Sequence, residues 1–157
     1  MKKFLDYKAY FLLLGISFLG LVLGGARSGQ AENWQLTGER AGRGKVYVDK
    51  ESISPQPAGT LRYKAKIYVE GERKASLEKS IALATNDPKK AKALDHVICE
   101  IEIDCAQNKD RLLNMQFLDK RGNEIATNKE PGEFVAIDQD ELSQAIKASV
   151  CGSRTGN

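Results

Sequence analysis

Residue types on which many enzymes and metalloproteins depend are scarce in this chain of 157 residues. It contains one histidine, His96, together with one tryptophan and three cysteines. A single histidine excludes metal sites that require two histidine ligands. Four prolines and 14 glycines exclude a fibrous protein, and a hydrophobic content of 41% excludes an intrinsically disordered one. The composition therefore predicts one small folded domain.

The motifs of catalysis are missing as well. A catalytic triad would have to use His96, and no serine is flanked by the glycines of a nucleophile elbow. His96 and Cys99 would point to opposite faces of a strand, because their positions differ by an odd number. The run from Gly42 to Gly44 is too short for a phosphate-binding loop and precedes a strand. We predict no enzymatic activity, no cofactor and no metal site.

No charge of one sign dominates the chain. The formal net charge is +3, and Lys2, Lys3 and Lys8 with Asp6 supply +2 of it within the first 26 residues. The remainder has 21 basic and 20 acidic residues. A nearly neutral domain lacks the electrostatic attraction that nucleic-acid binding requires, so we predict no nucleic-acid partner.

The first 26 residues have the pattern of a secretory signal peptide. A short cationic segment is followed by the apolar run Phe11–Ala26. As a helix this run would span about 24 Å, less than the ~30 Å hydrocarbon core, so an uncleaved anchor is the weaker alternative. Small residues favour cleavage after Ala26 or Ala31, with a disordered segment at 27–32. We expect an exported protein of the periplasm or cell surface, without a membrane span in the mature chain.

Three cysteines in an exported chain predict one disulfide and one remaining thiol. Apolar and acidic residues alternate over His96–Cys105, which predicts a half-buried strand. Cys99 and Cys105 would lie about 20 Å apart along that strand, too far for a bond between them. Because Cys105 is at the strand end and Cys99 lies mid-strand on the core face, we predict a Cys105–Cys151 disulfide and a buried, free Cys99.

Alternating segments bounded by turn residues predict a mainly antiparallel sheet of about six strands. The segments with strand character are 33–36, 45–49, 61–69, 96–105, 111–118, 124–127 and 134–137. Gly38–Gly44 is predicted to be a turn, and 54–59, with two prolines, a loop. In the segment that follows Cys105, Leu113, Met115 and Phe117 are predicted to face the core.

Helices are predicted in two places. The stretch 71–94 has helical spacing and predicts two short helices, the second starting at Asp87 and Pro88. Near the C-terminus, Asp138 and Glu141 form a capping-box pattern.

An apolar stripe then runs along one side of this last helix as far as Val150, and Gly152 ends it. A helix this short needs to pack on the sheet to be stable. The predicted fold class is therefore α+β: an antiparallel sheet with a C-terminal helix on one face, its end tied to the sheet by the Cys105–Cys151 disulfide. A flexible tail is predicted at 153–157.

The strand at 61–69 carries the candidate binding surface. Its alternation projects Arg62, Lys64 and Lys66 outward, with Tyr68 as the only large ring on that side. An aromatic side chain flanked by cations has the composition of a binding anchor. The alternative is that Tyr68 is covered by the predicted helices.

An acidic row, Glu100, Glu102 and Asp104, lies on the strand that ends at Cys105. Such a row could face Ca²⁺ or a glycan. A solvated face paired with the basic residues of 61–69 is the simpler interpretation, and we predict cross-strand ion pairs there.

These features together resemble one known family. In chain order they are Trp34, Lys45–Ile53 (KVYVDKESI), Glu102–Cys105 followed by Arg111, and the closing pair Val150-Cys151. On these residues the chain is similar to the surface-adhesin protein E-like domain of exported bacterial proteins, which we place at 33–152.

The resemblance implies an antiparallel sheet with a C-terminal helix held by a disulfide. The founding adhesin of the family binds host extracellular-matrix and serum proteins, and haem. This chain departs from the family pattern in a longer segment at 71–94, in the additional Cys99 and in having one histidine, which makes haem ligation harder.

We predict an exported, non-catalytic binding module for an unknown host or envelope protein or polymer. A periplasmic structural or envelope-assembly factor is the alternative, and a thiol-dependent enzyme that uses Cys99 is a third class.

Overall fold

Seven antiparallel strands form one sheet in the computed structural model, which describes residues 32–40 and 44–152. The strands are β1 (Trp34–Arg40), β2 (Gly44–Pro55), β3 (Leu61–Tyr68), β4 (His96–Asp104), β5 (Lys109–Leu118), β6 (Glu124–Asn128) and β7 (Val135–Ala136). The helices are α1 (Gly71–Thr85), α2 (Pro88–Ala91) and α3 (Glu141–Cys151). The predicted signal peptide, most of the predicted segment 27–32 and the tail at 153–157 lie outside the described residues.

Strands β1 to β6 are neighbours in the sheet in the order in which they occur in the chain, and β7 pairs with β5. Helices α1 and α2 lie between β3 and β4 in the chain. Strands β3 and β4 pair without a register shift, from Leu61 opposite Ile103 to Tyr68 opposite His96. This regular central pair fixes which side chains of the two strands share a face.

Strand β1 is longer than the sequence pattern predicts. It continues to Arg40, where a turn beginning at Gly38 was expected. The register shifts between Leu36 and Gly38, and a Cβ on this glycine would lie 2.5 Å from Leu142 Cδ1. Gly38 therefore permits close packing of β1 on α3. Strand β2 likewise extends into the predicted loop as far as Pro55.

Strand β5 contains an irregularity that makes one predicted core residue wrong. Asn114 pairs with Glu100, but the next residue of β4 pairs with Leu112. Leu113 is thus the extra residue of a β-bulge, where the alternation of side chains changes phase. Leu112 packs in the core in place of Leu113, whereas the other two predicted core residues of this strand pack as expected.

The segment between β3 and β4 forms two helices, as predicted, although α1 has 15 residues and is not short. Helix α1 is followed by Asn86, whose φ of 53° lies in the left-handed region. The carboxylate of Asp87 then accepts hydrogen bonds from the backbone N–H groups of Lys89 and Lys90 at the start of α2. With Pro88 at the first helical position, this cap confirms the prediction.

Helix α3 has a different cap from the predicted one. Asp140 accepts hydrogen bonds from the backbone N–H groups of Leu142 and Ser143. Asp138 lies in the preceding loop, outside the helix. The predicted capping box had Asp138 as the cap and Glu141 as the third helical residue. The helix begins at Glu141 itself, so the residue before it, Asp140, is the cap.

The predicted disulfide is present. Cys105, the residue after β4, is bonded to Cys151 at the end of α3, with a Cα–Cα distance of 6.0 Å. Cys99 is free and buried. The bond ties the helix end to the sheet.

The helices pack on one face of the sheet over two adjoining core clusters. The cluster that includes residues of α3 consists of Val48, Leu61, Tyr63, Ala65, Ile103, Ile137 and Val150. The cluster that includes residues of α1 and α2 consists of Val69, Ile81, Ala91, Leu94, Val97, Cys99 and Ile125. The predicted α+β architecture is confirmed. None of the helices in the described part of the chain is long and apolar enough to cross a membrane.

Candidate functional site

The candidate binding surface lies on the sheet face opposite the helices. Directly paired residues of antiparallel strands project to the same face. The strand pairing therefore produces one row on this face: Leu36, Tyr47, Lys66, Ile98, Gln116 and Thr127. We define the outer patch as the aromatic and basic side chains grouped on β1 to β4 of this face: Trp34, Tyr47, Lys64, Lys66, Tyr68 and His96.

Tyr68 lies among other rings of the outer patch. Its ring centre is 5.8 Å from that of Tyr47, in an edge-to-face arrangement with an interplanar angle of 74°. On its other side, the His96 ring centre is 5.4 Å away. Tyr68 is 36% exposed, and the helices pack on the other face of the sheet. The ring is therefore supported from the side and open to solvent.

Lys66 and Trp34 form a second contact within the outer patch. The Lys66 Nζ lies 4.2 Å from the centre of the Trp34 ring, within the range of a cation–π interaction. The indole Nε1 donates a hydrogen bond of 2.8 Å to Glu32 Oε2. Both neighbours restrict the indole ring, so the tryptophan and the lysine form one ordered unit.

Reasoning from the sequence did not assign Trp34, Tyr47 or His96 to the candidate site. The sequence alone could have indicated the direction of Tyr47. This residue lies between two buried valines on β2, so its side chain must face outward. The proximity of all three to β3 depends on strand order and register, which alternation within one strand does not reveal.

The remaining predicted site residues differ in their surroundings. Lys64 is exposed and lies on the same face as Lys66. Arg62 Nη1 lies 3.6 Å from Glu100 Oε1, one of the predicted cross-strand ion pairs. In the described part of the chain, Arg62 Nε is enclosed and has no hydrogen-bond partner. The Arg62 guanidinium is thus paired with Glu100 of the same domain, and we do not include it in the outer patch.

Glu102 does not belong to a solvated acidic row, contrary to the prediction. It is 5% exposed, accepts a hydrogen bond from the Thr60 hydroxyl at 2.5 Å, and accepts two from Arg111, at 2.9 and 2.6 Å. The Thr60 hydrogen bond and the Arg111 guanidinium hold the pKa of Glu102 below its usual value, against the opposing effect of burial. Arg111 Cζ lies 4.6 Å from the centre of the Phe134 ring. The contacts of Glu102 are thus made within the domain, and Glu102 is not part of the outer patch.

His96 and Cys99 do not form a joint site. The His96 Nδ1 lies 3.0 Å from Asp95 Oδ2, whereas Cys99 is 4% exposed within the core. Burial raises the pKa of the Cys99 thiol to about 11, which keeps the thiol protonated at neutral pH. Within residues 32–40 and 44–152 we find no cluster of three or more His, Cys, Asp or Glu side chains that could hold a metal ion.

Comparison with known proteins identifies both a family and a fold. The family model of surface-adhesin protein E matches residues 34–152. Crystal form II of Haemophilus influenzae protein E is similar in structure, with a TM-score of 0.51 and 16% identity over 78% of this chain and 96% of that one. The selenomethionine form of that protein gives a TM-score of 0.51 and 16% identity over 77% and 94%. No curated protein sequence matches the chain.

Proposed function

The chain belongs to the surface-adhesin protein E family, and we propose that it is an exported, non-catalytic binding module whose outer patch contacts a protein partner. Family membership supports a surface-adhesin-like role. The cationic start and the apolar run Phe11–Ala26 support export. The proposed partner is a host or envelope protein.

The observation that carries the proposal is a group of ordered aromatic rings on a sheet face that the helices leave uncovered. Aromatic side chains often dominate the binding energy of protein interfaces. Tyr68 is held by the rings of Tyr47 and His96, and Trp34 is held by Lys66. Rings that are already ordered lose little side-chain freedom when a partner binds, which favours affinity.

The charges around the rings indicate the chemistry of the partner. Lys64 and Lys66 both project from β3 on this face, and the nearby Glu100 carboxylate is paired with Arg62. The outer patch therefore offers ammonium groups next to aromatic surface. We expect a partner surface that places carboxylates beside aromatic or aliphatic side chains.

A capture experiment tests the binding role. The mature chain is immobilised and exposed in parallel to host matrix proteins and to bacterial envelope fractions, and the bound proteins are quantified. We expect Tyr68→Ala and Trp34→Ala each to reduce capture of the same partner at least tenfold with an unchanged melting temperature. Leu83→Ala is the matched control, because Leu83 is 78% exposed on α1 and lies outside the outer patch.

Two results would contradict the proposal. Capture that is unchanged in both outer-patch variants would place the binding surface elsewhere. A fall of several degrees in the melting temperature of Tyr68→Ala, about the effect of 1 kcal/mol in a domain of this size, would mark Tyr68 as a packing residue.

Export is tested separately by intact-mass measurement of the secreted product. We expect a chain that begins at Arg27 or Glu32. A full-length chain retained in the inner membrane would contradict cleavage while leaving the binding proposal open to its own test.

A further inference from the structure

A cleft lies between the helices and the inner face of the sheet, on the side opposite the outer patch. Its larger part, of about 220 Å³, is bounded by Arg73 of α1 and by residues near the start of α3. Its smaller part, of about 90 Å³, continues beneath α3. The two parts adjoin, since both are lined by Tyr63, Ile101, Ser143 and Ile146. We refer to them together as the inner cleft.

Tyr63 places a polar atom in this largely apolar cleft. The residue is 2% exposed, and its hydroxyl has no hydrogen-bond partner among the described residues. Among the described residues, Arg62 Nε is a polar side-chain atom that is both fully enclosed and without a hydrogen-bond partner, and the Tyr63 hydroxyl is not such an atom. The Tyr63 hydroxyl is therefore not fully enclosed. Burial, and next the negative charge of Asp110, raise the pKa of the Tyr63 phenol, so it stays a neutral hydroxyl. A buried hydroxyl that faces a cavity is a free donor and acceptor for a bound molecule.

Asp110 of β5 places a carboxylate in the smaller part of the inner cleft. Within the described part of the chain it has neither an ion pair nor a side-chain hydrogen bond. Lys147, in the same wall, donates its hydrogen bond of 2.7 Å to Asn108 Oδ1 instead. Burial, and then the negative charge of Asp138, raise the pKa of Asp110. Among the described residues, no cation lies within ion-pairing distance of this carboxylate.

From this geometry we infer that the inner cleft binds a small alkylammonium ion, with the ammonium group between the Asp110 carboxylate and the Tyr63 hydroxyl. Both oxygens accept hydrogen bonds from an ammonium donor. The alkyl chain would lie in the larger part, whose apolar lining consists of Val46, Ala65, Ile67, Ile101, Leu142 and Ile146.

The size and rim of the inner cleft restrict the ligand further. A cavity of about 150 Å³ holds a benzene-sized molecule, so the larger part accepts a chain of roughly four to six carbons. Charged side chains of both signs, Arg73, Asp138 and Asp140, also line this larger part. The apolar part of the lining therefore sets the length of the alkyl chain that fits.

The test uses n-butylammonium chloride as the probe, followed by ¹H–¹⁵N NMR of the mature chain. Sodium chloride at equal concentration, 1-butanol and sodium butyrate serve as matched controls for salt, for the apolar chain and for charge. We expect saturable shifts confined to β3, β5 and α3, with 1-butanol at least tenfold weaker and butyrate without effect. Absence of saturation with butylammonium, or equal binding of 1-butanol, would overturn the inference.

Two variants identify the groups that bind the ammonium. Asp110→Asn should weaken butylammonium binding at least tenfold, and Tyr63→Phe several-fold, because each removes one acceptor. Glu133→Gln removes a carboxylate at an exposed position outside the inner cleft. It is the matched control and should bind the probe as the unmodified chain does. If Asp110→Asn fails to fold, Tyr63→Phe and the comparison of butylammonium with 1-butanol and butyrate still test whether the inner cleft binds an ammonium group. Unchanged affinity in both variants would contradict the site.

Discussion

The ammonium group of Lys50 on β2 donates hydrogen bonds to both the carbonyl oxygen and the hydroxyl of Ser149, in the last turn of α3. The carbonyl groups at a helix C-terminus lack partners within the helix and carry partial negative charge. Helix α3 has no basic residue of its own in this turn, so the sheet supplies the positive charge. Together with the disulfide of Cys151, this contact fixes the C-terminal end of α3 on the sheet.

We predict that Lys50→Met lowers the free energy of unfolding by about 1–2 kcal/mol, because it removes a charged hydrogen bond from the helix end. Lys45→Met is the matched control. The Lys45 side chain is 46% exposed with its Nζ 4.0 Å from Glu39 Oε2, and such a surface pair contributes less than about 1 kcal/mol. Urea unfolding of the two variants measures the difference. If both variants lost the same free energy of unfolding, the Lys50–Ser149 contact would contribute no more to stability than a surface ion pair.

The Cys105–Cys151 disulfide should contribute much of the stability of the domain. It joins residues separated by 46 positions, and a closed loop of that length corresponds to about 4 kcal/mol by the chain-entropy estimate. We expect the double variant Cys105→Ser and Cys151→Ser to lose about 2–5 kcal/mol in chemical denaturation. Non-reducing peptide mapping should recover this pair, and a thiol reagent should label Cys99 only after unfolding. A mapped Cys99–Cys151 bond would contradict the arrangement.

Gly44 and Gly59 offer a matched pair for separating steric clash from backbone strain. Both have positive φ, of 90° and 82°. A Cβ on Gly44 would lie 1.6 Å from the backbone oxygen of Tyr68, whereas a Cβ on Gly59 meets nothing within 4 Å. We expect Gly59→Ala to cost about 1 kcal/mol through backbone strain. Gly44→Ala should cost several-fold more or prevent folding, because β2 must move away from the end of β3. Similar melting temperatures for the two variants would contradict this close approach.

The buried Glu102 predicts an acid-sensitive contribution to stability. Its pKa is lower in the folded protein than its ordinary value of 4.5, so the folded state binds fewer protons than the unfolded state as the pH falls. The stabilisation is therefore complete above about pH 4.5 and is lost as the pH falls through the lower, folded pKa.

Thr60→Val isolates the largest cause of this pKa shift. It removes the hydrogen bond that Glu102 accepts from the Thr60 hydroxyl and should cost about 1–3 kcal/mol at neutral pH. The difference from the unmodified protein should shrink in strong acid, where the carboxyl group is neutral and the hydrogen bond is weaker. Thr127→Val, at an exposed position of β6, is the control. Unfolding curves collected between about pH 2.5 and 7 measure the effect, and a difference that is constant across this range would contradict it.

Features that depend on neighbouring residues were predictable from the sequence. The alternation of β3 and β4 and the cap at Asp87 follow from side chains within a few positions of one another. The disulfide was also predictable. Cys99 and Cys105 on one extended strand cannot reach each other, which leaves Cys151 as the partner, and the position of Cys105 at the strand end favoured it over Cys99 on the core face.

Tertiary structure decided the features that depend on contacts between distant residues. The bulge at Leu113 exchanges which leucine of β5 faces the core, and the spacing of β5 alone contains no sign of it. Glu102 matches a solvated acidic row in sequence, yet Thr60 and Arg111 enclose it because strand pairing brings them together.

The outer patch is the clearest case of such dependence. Its members come from four strands, and a register slip of one residue in any of them would turn that strand's rings or ammonium groups to the other face. Register is fixed by the burial of the inner face as a whole, a property of the assembled sheet. The sequence by itself therefore determined the elements, the disulfide and the outward direction of Tyr68, while only the folded sheet brought Trp34, Tyr47 and His96 beside the side chains of β3.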